Sequence, residues 1–354
     1  MSTPTAYAVS PDSGEHWSAP GAFEVAAGIH RIPLPLPMDG LKAVNVYVIE
    51  TEQGLTLVDG GWAITEGREA LEKGLRQIGR SFADIRRFLV THVHRDHFSL
   101  AAALGAEVGA GVALGLGEKP NLDMMLGAVP ADEMPMIAQL RESGAAELAR
   151  IFGQDPSSDG RDERSLRYPD SWLDGDVEVG VGERTLHAIH TPGHTRGHYV
   201  FAERQAGLLF AGDHVLPTIT PSIGFEPAAV RQPLRDFMAS LAKVRALPDL
   251  TLLPAHGPIA PSVHARVDEL LAHHEERLAL CLAALSGGAR TAYDVAGDLP
   301  WTRHGHAFAT LDPFNSALAS METKAHLELL VARGQASRTD RADGVQFAAV
   351  VEHA

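Results

Sequence analysis

The chain has 354 residues, a formal net charge of −15 and a 45% share of hydrophobic residues, the proportions of a globular protein with one large domain and a smaller one. No apolar run reaches the roughly 18 residues that span a bilayer, and the acidic balance argues against nucleic acid as the main partner. The single cysteine, Cys281, excludes an intramolecular disulfide and any multi-cysteine zinc or iron–sulfur site, which fits a reducing cytoplasm.

Residues 1–22 lack the basic and apolar segments of a secretory signal and read as a flexible leader. A catalytic domain is expected over 23–260. Residues 24–60 predict strands, with Glu52-Gln53-Gly54 at a hairpin turn. Over 64–79, Ile64, Leu71, Leu75 and Ile78 share one helical face, and Ser81 and Asp84 form a capping box before a short turn. "RFLVT" is a buried strand that stops at "THVHRDHFSL", Thr91 to Leu100. Residues 105–170 read as an irregular insertion. Its Met124, Met125, Met134 and Met136 either line an adaptable apolar pocket or pack a subdomain core. Strands resume at about 176–190, 199–203 and 207–212, followed by the amphipathic helix "RQPLRDFMASLAKVRAL" and the strand "TLLPAHG".

Residues 261–354 form a different unit. Three helices, the last closed by Gly334, precede a hairpin that turns at Asp343-Gly344, which is the order of a winged helix. Residues 258–354 hold 8 Lys and Arg against 12 Asp and Glu, a net −4, so a cleft wall or a homodimer contact suits this unit better than nucleic-acid binding.

The chemistry concentrates where strands end. "THVHRDH" brings His92, His94, Asp96 and His97 together, and Asp59, His194, Asp213 and His256 each follow an apolar run beside Gly or Pro. Imidazole and carboxylate are the ligand set of zinc, iron or manganese. His92 and His94, two apart on extended chain, point to one side, whereas Asp96 and His97 lie on the turn into the next helix. One ion takes His92, His94 and His194, and a second takes Asp96, His97 and His256. Asp213 can bridge them because a carboxylate has two oxygens.

This pattern resembles the metallo-β-lactamase superfamily, with "THVHRDH" matching its H-x-H-x-D-H signature and the other four sites matching its remaining motifs in order. The resemblance implies an α/β fold, an αββα sandwich with a dimetal site at one edge, and an outer role for Asp59 in orienting the cluster. Asp213, rather than cysteine, at the bridging position separates the chain from cysteine-ligated β-lactamases. "GDHVLPTITPSIGFEP", "HHEER" and the winged-helix tail resemble the branch of β-lactamase-like protein 2.

Other histidines carry weaker expectations. His198 and His214 stand beside ligand candidates and are read as hydrogen-bonding a ligand or packing locally, with an eighth ligand as the alternative. His187 and His190 are read as structural, His273 and His274 as helical, and His304 and His306 as loop residues.

The expected protein is therefore a soluble cytoplasmic hydrolase using two divalent metal ions, zinc first and iron or manganese as alternatives. A bridging hydroxide would attack an ester, thioester or lactone bearing an apolar part, or an activated ether, with Asp96 or Asp213 accepting or steering the proton. Phosphodiester cleavage of RNA and iron-dependent redox chemistry are the competing readings.

Overall fold

The computed structural model describes residues 9–37, 40–127, 133–154, 166–301 and 306–350. A seven-stranded sheet is built, in spatial order, from β1 (Phe23–Ala26), β2 (Ile29–Pro35), β3 (Ala43–Thr51), β4 (Gly54–Val58), β5 (Ile85–Leu89), β6 (Gly111–Gly115) and β7 (Ser171–Leu173). Strands β1 to β4 pair antiparallel and β4 to β7 parallel. β3 shows why its sequence reads as one long apolar run. Val44, Val46 and Val48 face helices α1 (Thr65–Gln77) and α2 (Arg95–Val108), while Tyr47 and Ile49 face the opposite way.

Between β6 and β7 lie α3 (Lys119–Leu126), α4 (Pro135–Glu142) and α5 (Ala146–Gln154). The expected insertion over 105–170 is therefore too long. Its first residues finish α2, and Gly111–Gly115 is a sheet strand between β5 and β7. "GVALG" is short and bounded by glycine, so periodicity alone does not mark it as a strand.

The second sheet contains β8 (Val177–Val181), β9 (Arg184–His190), β10 (Tyr199–Glu203), β11 (Leu208–Gly212) and β12 (Thr251–Pro254), antiparallel except for the β11–β12 pair. Tyr199, Phe201 and Phe210 meet Tyr47 and Ile49 of the first sheet in a shared core. The other face of this sheet packs on α6 (Pro233–Arg245) and α7 (Val263–Ala284) through Phe237, Leu241, Val267 and Leu270. Helices thus cover both outer faces of two stacked sheets, the expected αββα order.

The chain closes with β13 (Arg290–Thr291), α8 (Ala292–Asp298), a small β14 (Pro300–Trp301) and β15 (His306–Ala307) pair, α9 (Pro313–Ala332), and the hairpin β16 (Ala336–Arg341) and β17 (Gly344–Ala349). Strand β13 joins β17, giving the order β13-β17-β16. α9 shares a core with Ile137, Leu140 and Leu148 of the insertion, and Met134 and Met136 pack against that core. No helix among the described residues is long and apolar enough to cross a membrane.

The leader departs from expectation after residue 8. Trp17 is buried, and Asp12 pairs with the fully buried Arg31 at 2.9 Å. A long-range ion pair of this kind leaves no local signature in the sequence.

Candidate metal centre

Strand ends deliver every candidate ligand to one edge of the sandwich. β5 stops at Leu89, and α2 begins at Arg95 with His94 as its N-cap residue. This break separates His92 and His94 on the loop from Asp96 and His97 in the first helical turn, where a carboxylate is favoured by the helix dipole. The loops after β9, β11 and β12 carry His194, Asp213 and His256.

The side chains converge as two groups. Ligand atoms of His92, His94, His194 and Asp213 lie within 4.8 Å of one another, as do those of Asp96, His97 and His256. In the first group His92 Nε2 and His194 Nε2 stand 3.0 and 3.1 Å from His94 Nδ1. Asp213 faces both groups, with Oδ2 3.6 Å from His194 Nε2 and Oδ1 3.3 Å from His256 Nε2 and 3.6 Å from His97 Nε2. Asp96 Oδ2 is 3.3 Å from His256 Nε2 and 3.5 Å from His97 Nε2.

Behind this front, the second nitrogen of four imidazoles is fixed. His97 Nδ1 meets Asp59 Oδ2 at 2.9 Å and His92 Nδ1 meets Thr91 Oγ1 at 3.0 Å. His194 Nδ1 donates to the Ser222 carbonyl and His256 Nδ1 to the Ala43 carbonyl, both at 2.8 Å. A carbonyl only accepts, so His194 and His256 must keep a proton on Nδ1, and in the neutral ring it is the Nε2 lone pair that faces the centre. Asp59 also accepts from the Thr91 backbone N–H at 2.7 Å, and it sits at φ 62°, a conformation Asp adopts more readily than most residues.

The electrostatics divide the same way. Burial pushes His92 well below its ordinary value, His94 to about 3 and His194 to about 4, leaving them as neutral donors. Burial also opposes a charge on His97, but Asp96, Asp213 and Asp59 outweigh it and raise that group to about 10. His256 is raised by Asp213 and Asp96 against its own burial. Burial likewise opposes ionised Asp96, yet His97 and His256 hold it well below the carboxylate range. The Nε2 atoms of His94, His97 and His256 and Oδ1 of Asp213 are buried without a hydrogen bond among the described residues. Such groups are costly to leave unpaired. Cations held by nitrogen and oxygen donors would satisfy them, so the residues fit a metal centre of two adjoining parts.

The outer candidates separate. His198 accepts from the Asp213 backbone N–H at 3.2 Å and bonds Thr191 Oγ1 at 3.0 Å, and its ring stacks 5.0 Å from that of His92. His214 packs edge-on against Phe237 at 5.0 Å and makes no hydrogen bond to a ligand candidate among the described residues, which leaves the local-packing alternative. His274 bonds His326 on α9, and His190 bonds the Arg196 carbonyl. His304 lies outside the described residues, and His306 stands in β15 rather than in a loop.

Sequence reasoning passed over the support of the His256 loop. Asn45 Nδ2 donates to the carbonyls of Pro254 and Gly257 at 3.0 Å, its backbone N–H meets Ala255 O at 2.7 Å, and Arg31 Nη1 holds Asn45 Oδ1 at 3.1 Å. The contact joins residues 212 apart in sequence, so only a polar residue within each of two largely apolar strands, Arg31 in β2 and Asn45 in β3, hinted at it.

A family model described as the metallo-beta-lactamase superfamily matches residues 39–256, well over half the chain and all seven ligand candidates. The chain belongs to that superfamily. It is 27% identical over 238 residues to a beta-lactamase-like protein 2 homolog of Caenorhabditis elegans, covering 67% of this chain and 63% of the relative. A probable metallo-hydrolase of Bacillus subtilis is 25% identical over 322 residues, covering 85% and 91%. An atrochrysone carboxyl ACP thioesterase of Aspergillus aculeatus is 25% identical over 245 residues, covering 69% and 60%. The chain thus spans about three fifths of the length of the worm and fungal relatives. A solved metallo-beta-lactamase family protein of Thermus thermophilus superposes with a TM-score of 0.75 at 27% identity, covering 92% of this chain and all of that one. The superfamily and its αββα fold stand as the motifs implied, and hydrolase relatives accompany them.

Proposed function

We propose that the protein is a metal-dependent hydrolase of carbonyl esters, with thioesters as its foremost substrates. His92, His94 and His194 would hold one divalent cation and Asp96, His97 and His256 a second, with Asp213 offering one oxygen to each. The observation that carries the dinuclear reading is the placement of the two Asp213 oxygens toward different histidine groups. Such cations, zinc in the first instance, would polarise a carbonyl and lower the pKa of a bound water toward about 7.

The chain's own residues supply alignment and proton handling. The outer partners of His92, His97, His194 and His256 prevent the rings from turning, so no reorientation accompanies turnover. Asp96, held ionised by His97 and His256, is a weak base, and its role is to orient a water by accepting its hydrogen bond rather than to take its proton outright. A thiolate, with a conjugate-acid pKa of about 8.5, leaves without a proton donor. That agrees with a centre whose carboxylate is held ionised, and a fungal relative named as an ACP thioesterase supports the same class. Phe225, three residues beyond Ser222, meets the exposed Phe314 edge-on at 5.6 Å and would receive the apolar part.

The C-terminal unit is read as a winged-helix variant that walls the cleft rather than one that reads nucleic acid. Its helix α9 is buried against the insertion, and its net charge is negative. The test is turnover of the metal-loaded protein on aryl esters, acyl thioesters, lactones and RNA. Thioester hydrolysis abolished by chelation is expected; RNA cleavage without carbonyl turnover would overturn the reading.

A further inference from the structure

The chain buries two acids that none of the ligand motifs includes, Glu118 directly after β6 and Glu226 in the stretch between β11 and α6. Glu118 is fully buried and Glu226 nearly so. Asn121 Nδ2 donates to Glu118 Oε2 at 2.7 Å and to Glu226 Oε2 at 2.9 Å, while Asn121 Oδ1 accepts from Ala228 N–H at 3.0 Å. Thr195 Oγ1 donates to Glu118 Oε1, Arg196 Nε donates to Glu226 Oε2 at 3.3 Å, and the Val93 backbone N–H faces the Glu118 carboxylate. The network therefore grips three segments at once. They are the His92–His94 loop through Val93, the loop of His194 through Thr195 and Arg196, and the stretch after Ser222 through Glu226 and Ala228.

We propose that Glu118, with Asn121 and Glu226, is a positioning unit for His194, fixing both the loop that carries its imidazole and the loop whose Ser222 carbonyl holds its Nδ1. Backbone packing supports this independently. A methyl group added at Gly115 would collide with the Gly197 carbonyl, and one at Gly117 would lie 2.6 Å from the Arg196 carbonyl. Residues 115–118 thus lie flush against residues 195–197, with side-chain volume excluded so that the carboxylate can reach Thr195. Two buried acids joined by a neutral amide, with a cationic partner for Glu226 alone, are costly as a mere packing element. Their geometry is spent on holding ligand loops in register, as outer hydrogen-bond partners of metal sites do.

The inference rests on the metal-site reading above, and its test separates the two. Glu118→Gln and Thr195→Val are near-isosteric and break single links of the network, while Glu118→Ala removes the hub. Metal-free protein is titrated with cobalt(II) against a chelator, following the visible absorption of each equivalent, and the thermal melt of the metal-free protein is recorded beside it. Glu118→Ala is expected to weaken one equivalent by roughly 10- to 100-fold and leave the other within about threefold. Thr195→Val should weaken the same equivalent by a smaller factor, and Glu118→Gln should recover part of the loss. Two equivalents bound with wild-type affinity in Glu118→Gln and Thr195→Val would overturn the positioning role. Equal weakening of both, in step with a lowered melt, would also overturn it, by showing a general structural role. Wild-type protein that binds fewer than two equivalents would instead overturn the functional reading on which the inference depends.

Discussion

Replacing Asp59 with asparagine tests whether the ring behind the centre matters as much as the ligands in it. Asparagine tolerates the left-handed backbone at this position, and its remaining oxygen can keep the 2.7 Å bond from Thr91 N–H. At the Oδ2 position, however, an NH2 would confront the Nδ1–H of His97, where a carboxylate now accepts at 2.9 Å. Two donors cannot share a proton, so His97 either turns or moves its proton to Nε2, the atom offered to the centre. The lost bond involves a charged acceptor, worth about 1.5–3 kcal/mol. That corresponds to the roughly 10- to 100-fold fall in metal affinity expected on losing an outer partner. Chelator competition on Asp59→Asn should show this loss in the equivalent that His97 serves, with the fold intact by circular dichroism. Unchanged affinity for both equivalents would refute the argument that Asp59 sets the His97 tautomer.

Three further outcomes follow from the same structure. Arg31 is fully buried with Asp12 as its ion-pair partner, so Arg31→Ala leaves an uncompensated carboxylate and should destabilise the protein by about 3–5 kcal/mol in urea unfolding; a change below about 1 kcal/mol would contradict the anchored N-terminal segment. His326 is pushed by burial to about 3, so its contribution to stability is present above the unfolded value of about 6.5 and lost as pH falls below it. The urea-unfolding free energy of metal-free protein should fall between pH 6.5 and 5, and His326→Phe should flatten that slope by up to about 1.4 kcal/mol per pH unit; equal slopes would contradict a neutral buried imidazole. Gly193 has φ 138° and lies against the Phe237 backbone, so Gly193→Ala should displace the His194 loop and lower both melting temperature and metal affinity, measured by melts with and without cation.

The candidate histidine and aspartate cluster was legible because its signal is local. Histidines and aspartates at glycine-flanked strand ends declare both their chemistry and their place at a sheet edge, and the break at Arg95 separates two pairs within six residues. Single strands were legible for a related reason, since a strand such as β3, buried on both faces, reads as a mostly apolar run, whereas the stacking of the sheets came from the resemblance. What was not legible depends on contacts between distant segments. Arg31, Asn45 and Glu118 are ordinary polar residues until the fold brings them beneath His256 or His194, and the buried N-terminal segment announces itself only through Asp12. β6 was hidden inside the insertion because three apolar residues between Gly111 and Gly115 are too short a run to distinguish strand from loop.

Whether two cations share the Asp213 carboxylate is read from activation of metal-free protein by stoichiometric zinc, scored as thioester hydrolysis against equivalents added. With a shared Asp213, activity should rise until two equivalents per chain are bound and then level, and Asp213→Ala should fail to reach that plateau. Full activity at one equivalent, or hydrolysis that survives complete metal removal, would contradict a shared Asp213.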